Sequence, residues 1–322
     1  MADMRRCGII GAGSVGAASA YTLAVSGLFS EVVLLDADEN KAEGEAADIA
    51  HGAALGRPCR VYAGKYEDFA DCGLVILAAG ANQRPGETRE ALLGRNREIL
   101  RSILEQLTRV NREAILLVVA NPVDILTGYA LSLSGFPPER VIGSGTVLDT
   151  ARVKCLLGRR LGVDSRNVHA FMLGEHGDSE VAVWSSANIS GADLDDFCRA
   201  AGINAPGEML SSLAREVTHA AYAIIERKGA TCYGIAMAVR RIAEAIVRDE
   251  RAVLPVSTLA RGAYGIEGVC LGLPAVVGRR GVQGVLALPL SQEEKESLLA
   301  SAGKLRTLMG GNVCNDYPEH AP

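Results

Sequence analysis

The chain has 322 residues, 48% of them hydrophobic and 22% charged, a length and composition that suit a globular protein of two domains. Its formal net charge of −5, with 33 basic and 38 acidic residues mixed along the chain and no basic block, argues against a protein built to track nucleic-acid phosphates. No apolar run reaches the ~18 residues of a membrane span, and none of the 8 cysteines forms a C-x-x-C pair, so free thiols in a reducing compartment are expected and no metal site is.

In chain order, the apolar residues 8–10 form a first strand close to the start, leaving no room for a signal sequence, so a cytoplasmic location is expected. Residues 17–26 have helical spacing and stop at Gly27; 31–36 form a second strand, 40–55 a helix and 74–78 a third strand. A polar loop, 80–87, leads to a long helix over 89–109. Strands follow at 114–120, ending in Asn121-Pro122, and at 141–143. Continuous apolar strands separated by helices indicate a parallel sheet covered on both faces, with its ligand sites at the strands' carboxyl ends.

The second half differs. Residues 150–161 read as a helix, and 168–173 as a strand leading into Gly174-Glu175-His176-Gly177-Asp178. A helix-rich stretch covers 211–248, broken near Gly229-Ala230-Thr231, and 253–288 is rich in Val, Gly and Leu, as in strands with tight turns. Residues 291–308 form a terminal helix that Ser291 can cap, with Glu293 and Glu294 in its first turn. The expected fold is α/β, a doubly wound parallel sheet of Rossmann type over 1–144 followed by an α+β domain over 145–322.

Gly11-Ala12-Gly13-Ser14-Val15-Gly16 matches G-x-G-x-x-G between a strand and a helix, and Asp36 follows about 20 residues later at the end of the second strand. Gly11 permits the tight turn, Gly13 lets backbone approach a pyrophosphate, and Gly16 lets the helix pack against the strand. The helix N-terminus, at Val15, offers free N–H groups to phosphate. Asp36 can accept from both adenosine ribose hydroxyls and repels a 2′-phosphate, so NAD is expected over NADP. His176, set between glycines after an apolar strand, is expected to be the most exposed and backbone-constrained of the 5 histidines. Asp149 and Arg152 lie three apart and share a helix face.

With these residues stand 79–89 (Ala-Gly-Ala-Asn-Gln-Arg-Pro-Gly-Glu-Thr-Arg), Asn121-Pro122-Val123-Asp124 and Lys228-Gly229-Ala230-Thr231. In this order, over essentially its whole length, the chain resembles the L-lactate/L-malate dehydrogenase family, and its bacterial lactate branch in particular. The resemblance implies an NAD-dependent oxidoreductase of 2-hydroxy acids in which His176 gives and takes the proton. Asp149 would orient and charge the imidazole, and Arg152 would clamp the substrate carboxylate with paired hydrogen bonds. Arg89 would approach the reacting oxygen when the 83–87 loop closes, and Asn121 would bond that oxygen. Thr231 would border the substrate pocket, and Ile235 would offer the nicotinamide an apolar surface. Gln83 stands where malate enzymes of the family place arginine. Its neutrality favours the fermentative pyruvate/L-lactate pair, with oxaloacetate/L-malate or another 2-hydroxy acid as the alternative. The resemblance also implies a homotetramer, and a fructose 1,6-bisphosphate effector site at His169 and Lys154, where Lys154 replaces the family's arginine.

Overall fold

The computed structural model describes residues 2–81, 88–203 and 205–310. Strand β1 (Asp3–Ile10) turns at the glycine loop into helix α1 (Ser14–Ser26), followed by β2 (Glu31–Leu35), α2 (Glu39–Ala53), β3 (Arg60–Ala63) and β4 (Cys72–Leu77). Helix α3 (Arg89–Val110) starts at Thr88, whose side chain accepts from the Ala91 N–H at 3.2 Å. Then come β5 (Ile115–Val118), α4 (Val123–Ser134) and β6 (Val141–Gly143). These six strands run parallel in the order β3-β2-β1-β4-β5-β6.

The unbroken apolar strands follow from burial on both faces. Leu74, Ile76, Leu117 and Ile9 point into one core, which is shared with α1 and α2. Val75, Leu77, Leu116 and Ile10 point into the other, under α3 and α4. Alternate residues thus serve opposite layers, and no polar side of the strand exists to leave a period of two.

The remainder comprises α5 (Val147–Leu161), β7 (Val168–Leu173), β8 (Val181–Ile189), β9 (Ala192–Asp193), α6 (Leu194–Ala200), α7 (Pro206–Lys228), α8 (Tyr233–Val247), β10 (Ala252–Arg261), β11 (Glu267–Gly278), β12 (Gly281–Val285) and α9 (Gln292–Leu308). Helix α9 begins with a capping box: Ser291 and Glu294 each bond the other's backbone N–H, at 3.2 and 2.8 Å. Strands β7, β8 and β9 form a small antiparallel sheet that packs with α5, α6 and α7 around a third core. Strands β10 to β12 do not stay with it. Ser257 of β10 pairs antiparallel with Gly143 of β6, so the main sheet continues to nine strands, three of them from the carboxyl-terminal half. Helix α8 likewise packs against α1, contributing Val239, Ile242 and Ile246 to the core behind the glycine turn. Among the described residues no helix is long and apolar enough to cross a membrane.

Candidate active site

The glycine turn sits at the carboxyl end of β1. Gly11 has φ 106° and Gly16 packs so closely that a Cβ would fall 1.7 Å from the Gly11 carbonyl oxygen, so both positions require glycine. Gly13 differs: a Cβ there would meet nothing within 4 Å. It caps α1 without any side-chain bond, leaving the first N–H groups of the helix, around Val15, without a side-chain acceptor. Asp36, just beyond β2, is held against this cradle, its Oδ2 accepting from the Ala12 N–H at 2.6 Å and its Oδ1 from the Asp38 N–H at 3.0 Å. A chemically open notch at a helix N-terminus beside a fixed carboxylate fits a dinucleotide pyrophosphate and its ribose diol.

At the carboxyl end of β7, the backbone around His176 is fixed by three separate elements. Gly174 exchanges N–H···O bonds of 2.9 Å with Gly272 of β11. The Glu175 N–H donates to Ser301 Oγ of α9 at 2.9 Å, and the His176 N–H to Asp124 Oδ2 of α4 at 2.7 Å. Gly174 and Gly177, with φ 91° and 145°, allow the turns on either side. Lys304 adds a 2.7 Å bond to Glu175.

The imidazole then meets α5. His176 Nδ1 lies 2.7 Å from Asp149 Oδ2, and Arg152 Nη1 lies 2.7 Å from Asp149 Oδ1. One carboxylate, 1% exposed, therefore orients both an acid–base group and a guanidinium. Burial works against charge on the ring, but Asp149, then Asp124 and Glu180, outweigh it and raise the His176 pKa from 6.5 to about 9. Burial likewise works against the Asp149 anion, and the imidazole and guanidinium overcome it, holding that carboxyl below its usual range.

The expectation that His176 is the most exposed histidine is corrected. His51, His169 and His219 are exposed, whereas His176 is half-buried. Its distinction is constraint, because the glycines beside it admit bonds from three elements rather than opening it to water. The pairing of Asp149 with Arg152 on one helix face is observed.

Asn121 closes the loop after β5, its carbonyl accepting from Asn96 Nδ2 at 3.1 Å. Thr231 lies at the junction of α7 and α8, which Lys228 braces by placing its ammonium 4.1 Å from the Tyr233 ring centroid. Ile235 is half-buried on the first turn of α8, against the core that also backs the glycine turn. Arg89 is the first residue of α3. Gln83 lies outside the described residues. Lys154 is on α5 and His169 is exposed on β7, two elements that pack together; burial first, then Arg241, lowers the Lys154 pKa. Described cysteines are free thiols.

Three functional positions escape sequence reasoning. Asp124 stands inside a quoted motif, but nothing in the order of residues says its carboxylate will hold the His176 backbone. Ser301 is 126 positions from its partner Glu175. Glu180, four residues past His176, has no local signal at all; only the fold brings its carboxylate within 4.8 Å of His176 and Asp149 atoms.

A dinucleotide cradle, an acid–base pair and a cation brought together by one carboxylate define a dehydrogenase-type site at the edge of a Rossmann sheet. The chain belongs to the lactate/malate dehydrogenase family: that family's NAD binding domain matches residues 5–143 and its alpha/beta C-terminal domain matches 146–311. It is 48% identical over 298 residues to L-lactate dehydrogenase 1 of Clostridium acetobutylicum, covering 92% of this chain and 95% of the relative. It is also 48% identical over 306 residues to the L-lactate dehydrogenase of a Thermoanaerobacter species, covering 95% and 98%. Among solved structures, the ligand-bound minor L-lactate dehydrogenase of Enterococcus mundtii superposes with a TM-score of 0.93 at 41% identity, over 95% of this chain and 98% of that one. A lactate dehydrogenase from a Medee basin deep-sea metagenome gives 0.93 at 44% identity, over 96% and 99%.

Proposed function

We propose that this chain is an NAD-dependent L-lactate dehydrogenase, interconverting pyruvate and (S)-lactate. The observation that carries the reading is the shared Asp149 carboxylate, bonded at 2.7 Å to His176 and at 2.7 Å to Arg152. With Nδ1 engaged by Asp149, His176 turns Nε2 towards the substrate. In reduction, the imidazolium donates that proton to the carbonyl oxygen; in oxidation, the neutral ring accepts it back. Arg152 keeps nitrogens beyond Nη1 for the substrate carboxylate, and a fork of two bonds fixes which face of the carbonyl is presented. Asn121 donates to the reacting oxygen. Arg89 would stabilise the charge that develops there. Thr231 limits the side-chain pocket. Bound NADH supplies the hydride; Gly11, Gly13, Val15 and Gly16 would hold its pyrophosphate, Asp36 its adenosine ribose, and Ile235 the nicotinamide face.

Gln83 carries no charge to pair with a second carboxylate, which favours pyruvate over oxaloacetate. Residues 1–144 form the cofactor domain and 145–322 the substrate domain, in a cytoplasmic homotetramer. Lys154 and His169 form a site for fructose 1,6-bisphosphate, Lys154 serving as a point charge. Initial rates with pyruvate, oxaloacetate and a bulkier 2-keto acid, each with NADH and NADPH, test the reading. The largest kcat/KM is expected for pyruvate with NADH, and a larger value for oxaloacetate overturns the assignment. Titrating fructose 1,6-bisphosphate should lower the pyruvate KM; an unchanged curve rules the effector out.

A further inference from the structure

Three carboxyl groups surround the His176 imidazole, and they are not equally held. Asp149 is bonded by the imidazole and by Arg152, and Asp124 accepts the His176 backbone N–H. Among the described residues, the side chain of Glu180 is held by a hydroxyl: Thr218 of α7 donates to its Oε1 at 3.0 Å. A Glu180 oxygen, an imidazole nitrogen and an Asp149 oxygen all lie within 4.8 Å of one another. Around Glu180, α5 presents Asp149 and Arg152, the catalytic loop presents His176, and α7 presents Thr218. Next to it, Asp178 accepts from the Tyr222 hydroxyl at 3.0 Å.

The charges then conflict with substrate. With all groups ionised, two cations (His176 and Arg152) face three carboxylates. A substrate carboxylate on Arg152 would be the fourth anion, in a half-buried space where like charges repel strongly. Of the two carboxyls without a cationic bond, Asp124 accepts a backbone N–H and Glu180 a hydroxyl, and Glu180 also faces the Asp149 carboxylate, so Glu180 is the group neutralised at least cost.

We propose that Glu180 is the site's proton-linked counterpart to substrate: it is protonated whenever a monoanionic 2-keto acid occupies Arg152. Burial first, then the Asp149 charge, already push this carboxyl up to about 8, while burial brings Asp124 to about 6. At neutral pH the site is therefore ready. In the alkaline range, where Glu180 is ionised, binding must draw in a proton beyond the one that His176 takes.

The inference rests on the lactate dehydrogenase reading, and one experiment separates the two. Oxamate, an unreactive isostere of pyruvate, is titrated into the NADH complex of the full chain by calorimetry, in buffers of different ionisation heat, from about pH 7 to about pH 9.5. His176 can account for at most one proton per site. Uptake above one in the wild type towards about pH 9.5, falling to one or less in Glu180→Gln, supports the proposal. Thr218→Val, which removes a bond favouring the ionised form, should move the extra uptake to higher pH. One proton or less in the wild type at every pH, with pyruvate still reduced, overturns the Glu180 role alone, and needs no variant to fold. Absence of both oxamate binding and pyruvate reduction overturns the functional reading together with it.

Discussion

Replacing Asp149 with asparagine keeps the shape of the side chain and removes the charge that couples His176 to Arg152. The rise of the imidazole pKa from 6.5 to about 9 corresponds to roughly 3 kcal/mol in favour of the charged ring, at about 1.36 kcal/mol per pKa unit. Burial opposes that charge, and Asp149 is the first group that offsets it. Without it the ring should titrate at 6.5 or below. The sign follows directly. Pyruvate reduction needs the protonated ring, so loss of the ring proton cuts the wild-type rate only above about pH 9, beyond the fall that Glu180 ionisation starts near pH 8, whereas the Asp149→Asn rate falls from about pH 6.5 upwards. At pH 7.5 about one ring in ten stays charged in the variant, roughly a tenfold loss from protonation alone. The misoriented ring and the released Arg152 bring the total into the ~10²–10⁴ range of general acid catalysis. The assay is the pH profile of kcat/KM for pyruvate. An alkaline limb that keeps its wild-type position in the variant refutes the argument that Asp149 sets the proton affinity.

Arg152→Lys keeps the charge but loses the fork and its 2.7 Å bond to Asp149, so the pyruvate KM should rise ~10–100-fold, the size of one or two lost charge-assisted bonds; an unchanged KM places the substrate carboxylate elsewhere. Gly13→Ala and Gly16→Ala should separate binding from folding. The first meets nothing within 4 Å and should leave the cofactor-free Tm nearly unchanged while weakening NADH, whereas the second collides with the Gly11 carbonyl and should lower Tm itself. Equal effects of the two on Tm would contradict the division of labour in the turn. Gln83→Arg should raise kcat/KM for oxaloacetate and lower it for pyruvate, and no gain with oxaloacetate counts against the loop assignment.

What the sequence revealed, and what it hid, have physical reasons. The glycine turn, Asp36 and the alternation of strands and helices were legible because backbone requirements leave local marks. Helix α4 was not predicted: the residues from Val123 to Leu131 are buried all round, so no polar face marks its period. Strand β3 was missed because Arg60 to Ala63 is short, at the sheet edge and only partly buried. Strand β8 was missed although its burial alternates over Val181–Ile189, because small and polar residues blur the pattern. The division near residue 144 gives no hint that β10 joins β6, since antiparallel continuation of a parallel sheet is decided by tertiary packing alone. In the site, the Asp149–Arg152 pair was readable from helical spacing. The bond from His176 to Asp149 spans 27 positions and that to Asp124 spans 52, and neither has a local signature. The family resemblance supplied the first; the second came only with the fold.

The central claim is spatial, and a crystal structure of the NADH–oxamate complex addresses it most directly. The account predicts the oxamate carboxylate paired with Arg152, its amide oxygen within hydrogen-bond reach of His176 Nε2, and the nicotinamide beside it with the pyrophosphate at Gly13. Oxamate seated away from His176 and Arg152, or a dinucleotide bound anywhere but the glycine turn, would contradict it.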